Sequence, residues 1–89
     1  MRVELLEKVI RKFGKKNQID KIQEEAQELA LALHQYKCPT KDKEKGLDNI
    51  YDELADMTIM LAQANILFDR NRIAHRVDLK LKRLEGYLK

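Results

Sequence analysis

The spacing of apolar residues along the middle of the chain restricts its fold more than any other feature. Between residues 19 and 36 these side chains recur in alternating steps of three and four, at Ile19, Ile22, Ala26, Leu29, Leu33 and Tyr36. This period matches one face of an α-helix and differs from the strict alternation of a half-buried β-strand. The rest of the chain carries no strand pattern either, so we expect an all-α protein.

Similar periodicity predicts four helices, at about residues 3–13, 18–36, 47–68 and 72–88. Gly14, the segment 37–46 with its Pro and lysines, and a short turn that begins at Asp69 separate them. Asn17 is the predicted N-cap of the second helix. Connections this short favour antiparallel neighbours, so the sequence predicts one domain over residues 1–89, folded as a four-helix antiparallel bundle.

The small size of the chain makes a single copy a marginal folding unit. It has 89 residues, no Trp, three Tyr and two Phe, which is little material for a core. The third helix is apolar nearly all round, and it carries Ile59, Met60, Ile66 and Leu67 in addition to its main stripe. Three short neighbours cannot cover that much surface, so we expect oligomerisation, as a homodimer or homotetramer, to complete the bundle.

Composition argues against several functional classes. The longest uncharged stretch, residues 57–68, is too short to span a bilayer, and the N-terminal segment does not resemble a signal peptide. The single cysteine, Cys38, cannot form an internal disulfide, which favours a reducing, cytoplasmic location. A net charge of +3 is mild for a nucleic-acid binder. We therefore expect neither a membrane nor a nucleic acid as partner.

Two pairs of acidic residues suggest chemistry. Glu25 and Glu28 lie three residues apart on the second helix, as do Glu53 and Asp56 on the third. At that spacing the Cβ atoms are about 5–6 Å apart, so two carboxylates can bind one ion. Four converging carboxylates need positive charge, and an oxygen-only ligand set suits Mg²⁺ or Mn²⁺. The alternative is that each pair is ordinary surface charge on a solvated helix face.

The second acidic pair lies on a flank that should be buried. At 100° per residue, Glu53 and Asp56 project on the same side of the third helix as Met60 and Leu67. Its main apolar stripe, away from that flank, comprises Leu47, Ile50, Leu54, Leu61 and Phe68. An ionised carboxylate on a buried flank is costly unless a cation or a hydrogen-bond donor meets it, which favours the metal site.

The fourth helix carries positive charge beside its apolar stripe. Arg76, Lys80 and Arg83 follow one another in steps of four and three along one edge of that stripe. Such an edge suits phosphate oxygens, which Arg binds in a bidentate manner and Lys binds as a point charge. Long basic side chains also commonly border a core while their charged ends stay in water, and that alternative stays open.

The segments 18–29 and 51–57 together resemble the MazG-like all-α nucleoside triphosphate pyrophosphohydrolases. The family motif is E-x-x-E, a spacer of variable length, and E-x-x-D, and 24 residues separate its halves here. Lys21, four residues before the first Glu, and Lys80-x-x-Arg83 also resemble family features. The likeness runs from about residue 18 to 84, while the first helix and the segment 37–46 have no counterpart.

The resemblance implies an enzyme. It would cleave a ribo- or deoxyribonucleoside triphosphate between the α and β phosphates, with Mg²⁺ as cofactor and the monophosphate and pyrophosphate as products. The implied catalytic and metal-binding residues are Glu25, Glu28, Glu53 and Asp56. The implied phosphate-binding residues are Lys21, Lys80 and Arg83. It also implies a dimer, or a dimer of dimers, with the acidic helices at the subunit interface.

Three alternatives remain at the level of sequence. One is an enzyme similar to phosphoribosyl-ATP pyrophosphatase, which shares the fold and the acidic pattern. The second is a non-enzymatic helical module whose apolar third helix binds a partner. The third is a nucleic-acid binder that uses Lys15, Lys16 and the lysines of segment 37–46. That last hypothesis lacks aromatic stacking platforms and leaves the acidic pairs unexplained.

Overall fold

The computed structural model of the chain describes residues 1–39 and 42–89. Those residues form four helices, and no strand occurs among them. The helices are α1 (Val3–Phe13), α2 (Lys15–Lys37), α3 (Lys43–Leu67) and α4 (Arg70–Tyr87). The predicted all-α fold with four helices is therefore confirmed. In the described part of the chain, no helix has the length and apolar character needed to cross a membrane.

The turn between α1 and α2 is tighter than the sequence suggests. Gly14 adopts φ 88°, a value that side chains with a Cβ rarely accept, and α2 begins at the next residue, Lys15. Asn17 therefore lies inside α2 and is not its N-cap, which makes that prediction wrong. Its Nδ2 instead donates a hydrogen bond to the carbonyl oxygen of Phe13, at 2.6 Å.

An aspartate caps the start of both later helices. Asp42 Oδ1 accepts from the backbone N–H of Glu44 at 3.0 Å, so α3 begins at Lys43 and not, as predicted, near residue 47. Residues 43–46 of the predicted loop are consequently helical, and its residues 40 and 41 lie outside the described residues. The turn predicted over Asp69, Arg70 and Asn71 is shorter in the structure, because Asp69 Oδ1 accepts from Asn71 N at 3.0 Å and α4 begins at Arg70, two residues before the predicted start.

The helices α2 and α3 form an antiparallel hairpin. The ammonium group of Lys15, at the start of α2, lies 5.5 Å from the ring centroid of Phe68, directly after α3. At the opposite end, the ammonium group of Lys43 lies 4.7 Å from the ring of Tyr36 and donates a hydrogen bond to the Tyr36 carbonyl oxygen. The shorter α1 packs against both of these helices at one end of the hairpin.

The buried seam of the hairpin differs from the predicted apolar stripes. Its fully buried positions are Gln18, Glu25 and Ala32 on α2, and Ile50, Met60 and Gln63 on α3. Of the main stripe predicted for α3, only Ile50 is buried, and the others are exposed. The prediction chose the wrong face because α3 is apolar nearly all round, so periodicity cannot tell which side meets α2.

Two apolar surfaces remain uncovered in a single chain. The outer stripe of α3 consists of Leu47, Leu54, Leu61 and Phe68. The α4 stripe consists of Val77, Leu81, Leu84 and Leu88. Among the described residues α4 contacts only α3, and Ile73 is its single half-buried residue. The radius of gyration is 16.1 Å, whereas a compact domain of this length has about 12 Å.

Candidate metal centre

Three carboxylates meet where α2 faces α3. Glu25, Glu53 and Asp56 each offer one oxygen, and these oxygens lie within 4.8 Å of one another. Glu25 reaches this point because it lies in the buried seam of α2, directly against α3. The spacing of three residues places Glu53 and Asp56 on the same side of α3. We refer to these three residues as the acidic cluster.

Burial removes two members of the acidic cluster from solvent, while Asp56 is exposed, so the flank predicted to be buried is only partly so. Glu25 is only 6% exposed and Glu53 is half-buried. Glu25 Oε2 and Glu53 Oε2 are both buried and have no hydrogen-bond partner. A buried carboxylate oxygen without a partner is costly, and most buried polar atoms in proteins are satisfied. A positive charge placed beside these two oxygens would offset that cost.

Lys21 supplies positive charge at one side of the cluster. Its Nζ lies 3.2 Å from Glu25 Oε1 and 3.9 Å from Glu24 Oε1. The hydrogen bond to Glu25 raises the pKa of Lys21, and the nearby carboxylates add to that effect. In the described part of the chain, this ammonium is the only cation that forms an ion pair with the cluster. It leaves two of the three carboxylates uncompensated.

Glu28 adjoins the acidic cluster without belonging to it. Its side chain is exposed, and it contributes no oxygen to the group of three. The negative charge of Glu25 raises the pKa of Glu28, with smaller contributions from desolvation and from Glu53. The pKa of Glu53 is also raised, first by desolvation and then by the charges of Glu25 and Asp56. The Glu28 shift thus follows first from neighbouring negative charge, and the Glu53 shift first from reduced contact with water.

The cluster suits a hard divalent cation. Oxygens that all lie within 4.8 Å of one another can surround one ion, because Mg²⁺ and larger oxygen-bound cations hold ligands at about 2.0–2.6 Å. No His or Cys belongs to the group, which argues against the softer transition metals. The acidic cluster therefore fits Mg²⁺ or Mn²⁺ in donor type and charge.

The basic residues of α4 are separate from this centre in a single chain. Lys80 and Arg83 are exposed, and the helix that carries them makes no contact with α2 among the described residues. The chain thus brings together Glu25, Glu53, Asp56 and Lys21, with Glu28 beside them. The role of Lys80 and Arg83 as phosphate ligands therefore stays a prediction. A different arrangement of α4, or a second copy of the chain, would be needed to bring them to the cluster.

Sequence analysis missed two buried glutamines next to the centre. Gln18 is 7% exposed and Gln63 is 2% exposed, and Gln63 Oε1 has no hydrogen-bond partner. The available signal was their spacing, because Gln18 lies seven residues before Glu25 and Gln63 seven residues after Asp56. Seven residues are close to two helical turns, so each glutamine shares a face with a member of the acidic cluster.

Comparison with known proteins does not place the chain. Neither models of protein families, nor curated proteins, nor solved structures gave a match.

Proposed function

We propose that this protein is a Mg²⁺-dependent nucleoside triphosphate pyrophosphohydrolase, which cleaves its substrate between the α and β phosphates. One observation carries the proposal: three carboxylates from facing helices converge, and two of their buried oxygens have no partner. These residues occupy three positions of the E-x-x-E and E-x-x-D pattern that resembles the MazG-like enzymes. Ordinary surface charge does not explain a glutamate that is 6% exposed.

Glu25, Glu53 and Asp56 are the residues that would hold the metal. When bound, Mg²⁺ would supply positive charge that neutralises the negative charge developing as the anhydride bond breaks. The helices contribute rigidity, since all three carboxylates project from the middle of long helices and not from loops.

Glu28 is the carboxylate that we assign to the attacking water. Glu28 is not one of the three carboxylates that would hold the metal, so its oxygens stay free to accept a proton. Its exposure also keeps it open to water. The proton of the attacking water would pass to a Glu28 oxygen while the water oxygen forms the new bond to the α phosphorus. Pyrophosphate would then leave with the bridging oxygen.

Lys21 is the phosphate ligand that a single chain supplies. Its ammonium group is 3.2 Å from Glu25 Oε1 and half-exposed, so it can contact the cluster and a substrate phosphate together. A flexible point charge of this kind suits a phosphate that moves during the reaction. Lys80 and Arg83 would join it only through assembly.

Self-association is part of the proposal. The outer stripe of α3 and the α4 stripe present eight large apolar residues to solvent, with exposures of 36–89%. Surfaces of this kind mark interaction sites. A homodimer or homotetramer would cover them and complete the helical bundle. We place this enzyme in the cytoplasm, in keeping with its single cysteine.

A direct assay tests the proposal. The purified protein is incubated with a panel of ribo- and deoxyribonucleoside triphosphates and phosphoribosyl-ATP, each with Mg²⁺ and with EDTA, and pyrophosphate release is measured. We expect metal-dependent release from at least one nucleoside triphosphate. Activity on phosphoribosyl-ATP alone would indicate the related pyrophosphatase instead, and no release from any substrate would contradict the proposal.

The exposed apolar stripes favour one other candidate, a non-enzymatic module that binds another helical protein. This hypothesis predicts that divalent ions and nucleotides leave the melting temperature unchanged. It offers no reason for the buried, unpartnered oxygens of Glu25 and Glu53, so we rank it second.

A further inference from the structure

A cleft lies between α1 and the α2–α3 hairpin, beside the acidic cluster. It has a volume of 490 Å³, within the range of small-molecule sites. Its walls are mainly apolar and include Leu5, Phe13 and Ile59, which are 41%, 50% and 42% exposed in the single chain. A flat apolar group placed between them would remove their surfaces from water.

One polar atom in this cleft needs a hydrogen-bond donor. Gln63 lines the cleft and is 2% exposed, and its Oε1 is buried without a partner. Gln18, also buried, lines the same cleft. A buried amide oxygen without a donor is costly, so a rotation of the Gln63 side chain toward the cleft would let a ligand N–H form the hydrogen bond that this oxygen lacks.

Lys21 connects the cleft to the acidic cluster. Its side chain lines the cleft, while its Nζ lies 3.2 Å from Glu25 Oε1. A ligand that extends from Gln63 past Lys21 would therefore have an apolar, hydrogen-bonding end and an end that meets Lys21 and the carboxylates. A nucleotide has this construction, with a flat base at one end and phosphates at the other.

We propose that Gln63, supported by Gln18, binds the edge of a nucleobase in this cleft and sets the base preference of the enzyme. The inference rests on the proposed function for the identity of the ligand. A side-chain amide offers an acceptor and a donor, which match the paired groups on a base edge. The walls formed by Leu5, Phe13 and Ile59 cover the faces of the base.

The test measures base binding without any catalysis. The full-length protein, labelled with ¹⁵N and kept in EDTA, is titrated with adenosine, cytidine, guanosine, uridine and, as a control, ribose. We expect at least one nucleoside to shift the Gln63 side-chain amide signals in a saturable manner, and ribose to leave them unchanged. Affinities on the order of 1 mM are sufficient for this measurement.

Two variants sharpen the assignment. In Gln63→Leu the apolar walls stay and the amide is lost, so nucleoside binding should weaken about tenfold. The matched control is Gln23→Leu, since Gln23 is an exposed residue of α2 outside the cleft. Equal nucleoside affinity in both variants, with helical circular dichroism retained, would overturn the role of Gln63.

The remaining outcomes separate this inference from the proposed function. Saturable nucleoside binding at Gln63 without any pyrophosphate release would contradict the proposed enzyme activity and support the base site. Pyrophosphate release without a Gln63 response to any nucleoside would support the proposed enzyme activity and contradict the base site. If the cleft signals change on dilution of the protein and not on addition of nucleoside, a second copy fills the cleft and the base site is wrong.

Discussion

The seam between α2 and α3 buries polar side chains, whereas the surface of α4 exposes apolar ones. In the seam, Glu25 and Gln63 are buried although they are polar. On α4, Leu81 and Leu84 are 53% and 56% exposed although they are apolar. Each region therefore contradicts the ordinary rule of burial, and each contradiction points to a missing partner.

Different kinds of partner would satisfy the seam and the α4 surface. The seam lacks positive charge and hydrogen-bond donors, which an ion and a small polar ligand can supply without any change in the helices. The α4 surface lacks apolar contact over several turns, which only another helix or another chain can supply. The comparison therefore separates a proposed ligand site from a proposed assembly surface, and the predictions below test the two regions independently.

The largest effect should come from the carboxylates of the seam. Glu25→Gln, Glu53→Gln and Asp56→Asn each keep the side-chain shape and remove one metal ligand. Each should lower the rate of pyrophosphate release at least about 100-fold, because a lost ligand misplaces the ion and the substrate. The measurement is kcat for the best triphosphate with Mg²⁺.

Glu24→Gln is the matched control for these variants. Glu24 is exposed and lies one helical step of about 100° from Glu25. We expect it to stay active, and comparable activity in all four variants would remove the catalytic assignment. The apo forms of Glu53→Gln and Asp56→Asn should also be no less stable than the parent, since each loses a repulsive charge that forms no ion pair in the described residues.

A smaller loss, about 100-fold at most, should follow Glu28→Gln, because Glu28 is assigned to the water and not to the metal. The informative result is the difference between the effect on turnover and the effect on Mg²⁺ binding. Turnover should fall while Mg²⁺ binding, followed by isothermal titration calorimetry, stays close to that of the parent. A parallel loss of Mg²⁺ affinity would make Glu28 a fourth ligand instead of the base.

On α4, the expected effect concerns assembly. Leu81→Glu places a charge in the α4 stripe and should weaken self-association by roughly 100-fold, since burying an unpaired charge is costly. Lys82→Glu is the control, because Lys82 lies on the side of α4 away from that stripe. Light scattering across a dilution series measures both. An active parent that is already a stable 10.5 kDa monomer would show that α4 needs no partner copy.

The basic residues of α4 connect the two regions if assembly brings them to the cluster. Lys80→Ala combined with Arg83→Ala should then raise KM for the triphosphate about tenfold, with little change in kcat, because charge-assisted contacts to phosphate are lost. An unchanged KM would mean that these side chains only border the apolar stripe with their charged ends in water.

The smallest effect concerns stability without substrate. The acidic cluster forms only in the folded state, so Mg²⁺ bound there should raise Tm by about 4–8 °C for each kcal/mol of binding free energy. Without metal, the raised pKa values of Glu28 and Glu53 mean that the folded state keeps protons that the unfolded state has lost. These two groups therefore contribute their whole stabilisation of the metal-free protein at pH values below their ordinary pKa. That contribution is lost as the pH rises through the raised pKa values. Identical melting curves with EDTA and Mg²⁺ would count against the metal site.

The sequence by itself determined the helical class and the residues of the acidic cluster. Steps of three and four between apolar residues are a local property, since they follow from 3.6 residues per turn whatever the helix packs against. The same geometry fixed Glu53 and Asp56 on one side of α3. The acidic motif named four residues, and the tertiary structure brought carboxylate oxygens of three of them within 4.8 Å while Glu28 stayed outside the group.

Only the tertiary structure decided which faces are buried. An all-round apolar helix such as α3 offers several equivalent faces, and its partner chooses among them through contacts that are distant in sequence. That choice buried Gln18 and Gln63 and left the predicted stripe of α3 exposed. It also left Lys80 and Arg83 on a helix without contact to α2, because charge spacing along one helix carries no information about where that helix lies.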